Sequence, residues 1–129
     1  MLETLQSLCV TLVGLINIAP VLGMVSTRGM EKSYDVELPS PDLQILMRHR
    51  ALLFGLVGGF VLYSVFVPIH QPAALALAGM SMGGFIAIAL SVGGHNPALK
   101  KVVAADWVGL AFLAGAILLR PGSLEALAG

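Results

Sequence analysis

Charge is what this chain has least of. Lys and Arg number seven, Asp and Glu number seven, and together they make up 11% of its 129 residues, against about 25% in a soluble domain. Net charge is zero and no basic run occurs, so nucleic acid is not an expected partner. Cysteine occurs once, at Cys9. That excludes an internal disulfide and a paired-cysteine redox or zinc site, and leaves Cys9 as a small apolar residue facing lipid or another helix. Catalytic signatures are missing as well. There is no HExxH and no ferritin-like ExxH. Neither Ser81 nor Ser91 lies in GxSxG. Gly93-Gly94-His95-Asn96 lacks the lysine and spacing of a phosphate loop.

What the chain has in excess is apolar surface, with 57% hydrophobic residues. A soluble domain of this size has too little interior to hide so much, whereas lipid accepts it. Crossing about 30 Å of hydrocarbon takes about 20 apolar residues in a helix. Four tracts reach or approach that length: 5–25, 51–69, 73–90 and 102–119. Lipid demands that each segment satisfy its own backbone, so helices are expected; the alternation of a β-barrel strand is absent. With their flanks the helices are placed over about 4–25, 41–69, 72–91 and 100–120, with one substantial loop at 26–40. The expected fold is an all-α, membrane-spanning four-helix bundle, one transmembrane domain over 1–129.

The first tract has no basic n-region and is long for a signal-peptide core, so it is read as a retained span. Ser40-Pro41-Asp42 reads as a helix start: a capping serine, proline at the first position and an acid in the first turn. The 68–72 segment is a tight link, and 93–97 ends one helix and leads to the next. Arg28, Lys32, Arg48, Arg50, Lys100 and Lys101 then share one side of the membrane, and Arg120 alone lies on the other. The positive-inside rule puts the six in the cytoplasm. In a bacterial inner membrane both termini then face the periplasm.

Helices in lipid meet where small residues let backbones approach. Gly55 and Gly59 on the second helix, and Gly79 and Gly83 on the third, have GxxxG spacing. Packing within one bundle is the first reading of these pairs, and homo-oligomerisation the second. Pro20 removes the backbone bond to Ile16, beside Asn17. A tolerated kink is preferred here to a hinge or a ligand contact.

Ionisable groups inside a membrane are costly and mark candidate sites. The polar groups are expected in one half of the bundle: Asn17, Arg48, His49, Arg50, His95, Asn96 and Asp106, converging toward the cytoplasmic side. The plainer reading pairs Asp106 with Arg50 or Arg48 as a lock between helices, since a buried charge needs a partner. The sharper one is a pocket in which Arg48 and Arg50 hold an anionic or lipid-like ligand, and Asp106 or His49 supplies a hydrogen bond or proton. His70 falls on the opposite side, leaving two histidines and one acid together. No metal, haem or other cofactor is expected.

The stretch Leu46-Met47-Arg48-His49-Arg50-Ala51-Leu52-Leu53-Phe54-Gly55, with Asn17-Ile18-Ala19-Pro20 before it and Ala104-Ala105-Asp106 after it, resembles a group of small four-helix bacterial inner-membrane proteins. The resemblance covers most of the chain on short motifs. It implies the fold and draws attention to Arg48, His49, Arg50 and Asp106, and it supplies no activity. Proteins of this appearance sometimes carry the name phosphopantetheine adenylyltransferase. The soluble enzymes of that name are α/β nucleotide-binding proteins with an HxGH motif, which this chain lacks.

Three functions are compatible with these residues. The preferred one is a binding or accessory module for a lipid-like or anionic ligand or a membrane-complex partner, with the bilayer itself as a constant partner. The alternatives are a small proton-coupled transporter and a membrane enzyme acting on lipid or quinone. Small multidrug exporters have similar length and helix count but carry a carboxylate deep in the first helix. Here that helix offers only terminal Glu3 and neutral Asn17, so Asp106 is the remaining coupling acid. No reaction type follows from the residues, and an enzyme is the less favoured reading.

Overall fold

Proline and short polar side chains set where the helices begin. In the computed structural model, which describes residues 1–128 and their side chains except those of 23, 24, 123, 124 and 127, Ser40 accepts a hydrogen bond from the Leu43 amide at 3.2 Å, and Pro41 opens the longest helix. Asn96 does the same for Leu99 at 2.8 Å ahead of Pro97. Each cap satisfies an amide that the first helical turn leaves without a partner. The elements in chain order are α1 (Leu2–Ile18), a 3-10 turn (Ala19–Met24), α2 (Thr27–Tyr34), α3 (Pro41–Phe66), a 3-10 turn (Pro68–His70), α4 (Gln71–Val92), α5 (Pro97–Leu118) and α6 (Ser123–Ala128). The fold is all-α, with no strand among the described residues.

Four segments are long and apolar enough to cross a membrane: Leu2–Leu22, Pro41–Phe66, Pro68–Val92 and Pro97–Leu118, with mean hydropathies of 1.9, 1.5, 2.0 and 1.7. Between 17% and 33% of the most apolar stretch of each is buried inside the chain. Most of this apolar surface therefore points outward. Leu5, Leu8 and Leu15 on α1, and Met80, Ile88 and Leu90 on α4, are all exposed. Water would oppose that arrangement and hydrocarbon does not, so the chain has the surface of a multi-pass membrane protein.

Cross-helix contacts give the order and direction of packing. On α1 and α3, Gly14 meets Leu62 and Gly58 meets Ile18; Val21, in the turn after α1, meets Gly55. Numbers that rise on one side as they fall on the other mean antiparallel neighbours. The same holds for Gly79 with Leu113 and Met82 with Gly109 between α4 and α5, and for Cys9 with Gly115 and Ile16 with Gly109 between α1 and α5. Gln71 with Ser64 and Phe85 with Arg50 do so for α3 and α4. The bundle is an up-and-down ring in the order α1, α3, α4, α5, around Val10, Val13, Val61, Ala74, Ala78 and Met82.

The glycines divide unevenly. A Cβ on Gly58 would lie 2.5 Å from the Ile18 amide nitrogen and 2.8 Å from the Gly14 carbonyl oxygen, so here two backbones touch. Gly55 is closed by Val21, and Gly79 has ordinary contact with Leu113 at 3.4 Å. Gly59 and Gly83 face open space. The tightest crossing therefore uses Gly14 and Gly58, off the GxxxG pairs.

The 26–40 segment, read from sequence as a loop, contains α2. Ser26 caps it by accepting from the Gly29 amide at 3.1 Å, and Asp35 ends it in the left-handed region at φ 50°. Met30 and Tyr34, one turn apart on α2, and Leu38 beyond its end bury themselves with Ala51, forming a second small core against Met47, Leu99 and Val102. This end of the bundle also carries Arg28, Lys32, Arg48, Arg50, Lys100 and Lys101, and it is called the basic end below.

Candidate functional site

α1 loses its regular turn at Ile18, next to Pro20, and the chain tightens into a 3-10 turn. A proline ring cannot donate the backbone bond that continued helix needs. The shift leaves Asn17 at the last full turn with both Pro20 and Ala19 on one wall of a cavity of about 660 Å³. α2 supplies Met30, Lys32 and Tyr34, α3 supplies Arg50 and Phe54, and α5 supplies Lys101, Val102 and Asp106. The kink and the cavity wall are thus one feature.

Within the cavity the polar groups are few and set against apolar walls. Asn17 is 2% exposed. Its Nδ2 donates to the Val13 carbonyl at 2.9 Å, and its Oδ1 is buried without a hydrogen-bond partner. A buried acceptor left alone costs about 1–3 kcal/mol, so this oxygen awaits a donor. Asp106 is 7% exposed and adds further acceptors. Three cations line the same cavity, Arg50, Lys32 and Lys101, with Arg50 the charge that acts on Asp106.

Arg50 is held by rings from three elements. Its guanidinium carbon lies 4.8 Å from the Phe54 centroid, 5.0 Å from Phe85 on α4 and 5.7 Å from Tyr34 on α2. The rings draw the cation through their faces and offer it no ordinary hydrogen-bond acceptor, so its N–H donors are not committed to them. A planar fork of donors in a largely apolar setting suits carboxylate or phosphate.

Of the residues singled out from sequence, Asn17, Arg50 and Asp106 come together at this cavity. Arg48 and His49 are exposed on α3 and outside the cavity lining. Asn96 has its polar atoms committed to the fold. Its Nδ2 donates to the Tyr34 and Asp35 carbonyls, both at 2.8 Å, and its Oδ1 caps α5. His95 sits beside it, half-buried, with Nδ1 buried and without a hydrogen-bond partner, and outside the cavity lining. His70 is at the opposite end, stacked on Tyr63 with centroids 5.8 Å apart.

Sequence reasoning missed Lys32, Tyr34 and Lys101 as cavity residues. Lys32 and Tyr34 depend on α2, whose signal was the Met30, Tyr34, Leu38 spacing behind capping Ser26. The expectation that polar groups gather in one half also needs correction. At the far end, buried Gln6 donates to Gln71 Oε1 at 2.9 Å and to the Ala116 carbonyl at 3.4 Å, and Gln71 donates to the Ser64 carbonyl at 3.2 Å. This network joins α1, α3, α4 and α5. Amides in hydrocarbon must find partners, and the two glutamines at the margins of apolar tracts were the available signal.

No family model, curated protein or solved structure matches this chain.

Proposed function

We propose that this chain is a bacterial inner-membrane binding or accessory module, one of the small four-helix proteins it resembles, and that the cavity at its basic end takes an anionic, lipid-like ligand. The observation that carries this reading is the unpartnered, buried Asn17 Oδ1 in a cavity lined by three cations and one carboxyl group. The cations favour an anionic group, and the apolar walls favour a ligand that is itself partly apolar. Asp106 and Asn17 act as acceptors that orient the ligand, and Arg50 is its main anchor. In this orientation the cavity opens on the cytoplasmic side, and both termini are periplasmic.

A small proton-coupled transporter is the second reading, favoured by one feature: Asp106 is a buried carboxyl at the cavity. The two readings separate by experiment. The protein is released from mild detergent or nanodiscs into a native mass spectrometer. A small molecule retained by the wild type and lost from folded Arg50→Ala and Asp106→Asn variants is the expected result. A bare protein, or one with only loosely held bulk lipid, removes the ligand reading. A folded Asp106→Asn protein that loses pH-dependent uptake into vesicles would favour the transporter.

A further inference from the structure

A second recess lies on the other side of Arg50 and Phe54. It is a groove of about 310 Å³ between α3 and α4, bordered by Leu53, Val57, Gly84, Phe85 and Ile88. Arg50 and Phe54 belong to both the groove and the cavity. From Arg50 to Val57 on α3, and from Ile88 back to Ser81 on α4, the groove spans about 10 Å at about 1.5 Å per residue. It runs from the cationic cavity toward the middle of the apolar spans. Leu53 and Ile88 are exposed among lipid-facing residues. At Gly84 a Cβ would meet nothing within 4 Å, so its missing side chain leaves the floor of the groove open.

From these adjoining recesses we infer that the ligand is an anionic phospholipid with a hydroxyl-bearing head, its phosphate on the cavity side of Arg50 and one hydrocarbon chain in the α3/α4 groove. This rests on the cavity reading above and specifies its ligand. Apart from Arg50 at one end and Ser81, the groove is lined by apolar side chains and Gly84, a lining that suits a hydrocarbon chain continuing from an anionic group held at Arg50. Charge selects the head. Lys32, Arg50 and Lys101 favour phosphate, while Asn17 Oδ1 requires a hydrogen-bond donor and Asp106 offers a second acceptor in the same cavity. An ammonium donor would enter a cavity that three cations line. A hydroxyl supplies the donor without that repulsion, as the glycerol head of phosphatidylglycerol does.

The test uses the full chain in phosphatidylcholine nanodiscs, with equilibrium binding of phosphatidylglycerol labelled in one acyl chain. The wild type is expected to bind it at least tenfold more tightly than chain-labelled phosphatidylcholine. Arg50→Ala and Gly84→Phe are each expected to weaken it at least tenfold, the second with an unchanged thermal unfolding midpoint. Ile88→Trp, at the lipid-exposed rim, provides the same readout if Gly84→Phe does not fold. Wild-type affinity in the folded groove variants, with Arg50→Ala still impaired, overturns the chain groove and leaves the cavity reading standing. No preference for phosphatidylglycerol and no effect of Arg50→Ala overturns both.

Discussion

Gly58 shows how one missing side chain fixes a contact. Its Cα faces the α1 backbone at Ile18 and Gly14, where no flexible neighbour can give way. Gly59, one residue on, faces open space. Gly58→Val is therefore expected to cost about 3 kcal/mol, the upper part of the usual overpacking range, and Gly59→Ala to cost less than about 0.5 kcal/mol. Thermal unfolding in detergent of the two variants would check the difference, and equal stabilities would contradict the close α1–α3 crossing. Spacing alone could not rank these two glycines, because GxxxG marks a small-residue row and not the neighbour it faces. Asn17 is the opposite case. A polar residue in an apolar tract is conspicuous in sequence, but only the fold around Pro20 gives its free oxygen a cavity to face.

Among the elements, α2 changes the most between sequence and fold. Ser26 starts it, Asp35 stops it, and Asn96 ties its last carbonyls to the cap of α5. Glu31 adds a second tie, accepting from the Leu38 amide at 2.8 Å. One side chain thus couples a cavity wall to a membrane-spanning helix. Asn96→Ala removes the α5 cap and both bonds to α2, with the cap alone worth about 1 kcal/mol. Asn96→Asp keeps an acceptor for Leu99 and loses the two donors. Hydrogen exchange of the α2 amides is expected to accelerate in both variants, while destabilisation of the α5 start is expected only in Asn96→Ala. Unchanged exchange in α2 would show that its small core around Met30, Tyr34 and Leu38 suffices to hold it.

At the scale of the molecule the two ends do different work. The terminal end is closed by Gln6 and Gln71, whose bonds to each other and to the Ala116 and Ser64 carbonyls run between helices and leave the amides largely satisfied, while the Ser64 hydroxyl bonds back within α3. The basic end is opened by the Pro20 turn and by α2, and holds the cations. Six of the seven Lys and Arg residues lie there. With that end cytoplasmic, a reporter active only in the periplasm is expected to work when fused to the C-terminus, and a reporter active only in the cytoplasm to stay silent. The reverse pattern would invert the proposed orientation and move the cavity to the outer face.

The sequence by itself determined the class of structure. Four apolar tracts, with Asp106 their one charged residue, need lipid, lipid needs helices, and successive crossings of one bilayer must alternate in direction. It also determined local starts such as Ser40-Pro41 and Asn96-Pro97, because a cap is made within four residues. Only the tertiary structure decided which face of each span is inside. In a soluble helix, polar and apolar stripes announce the buried side. Here lipid is as apolar as the core, so Leu8 outside and Val10 inside look alike in sequence. The same lack of contrast hid which cations meet Asn17 and Asp106. Arg50, Lys32 and Lys101 come from three separate elements, and their convergence depends on packing that no local pattern records.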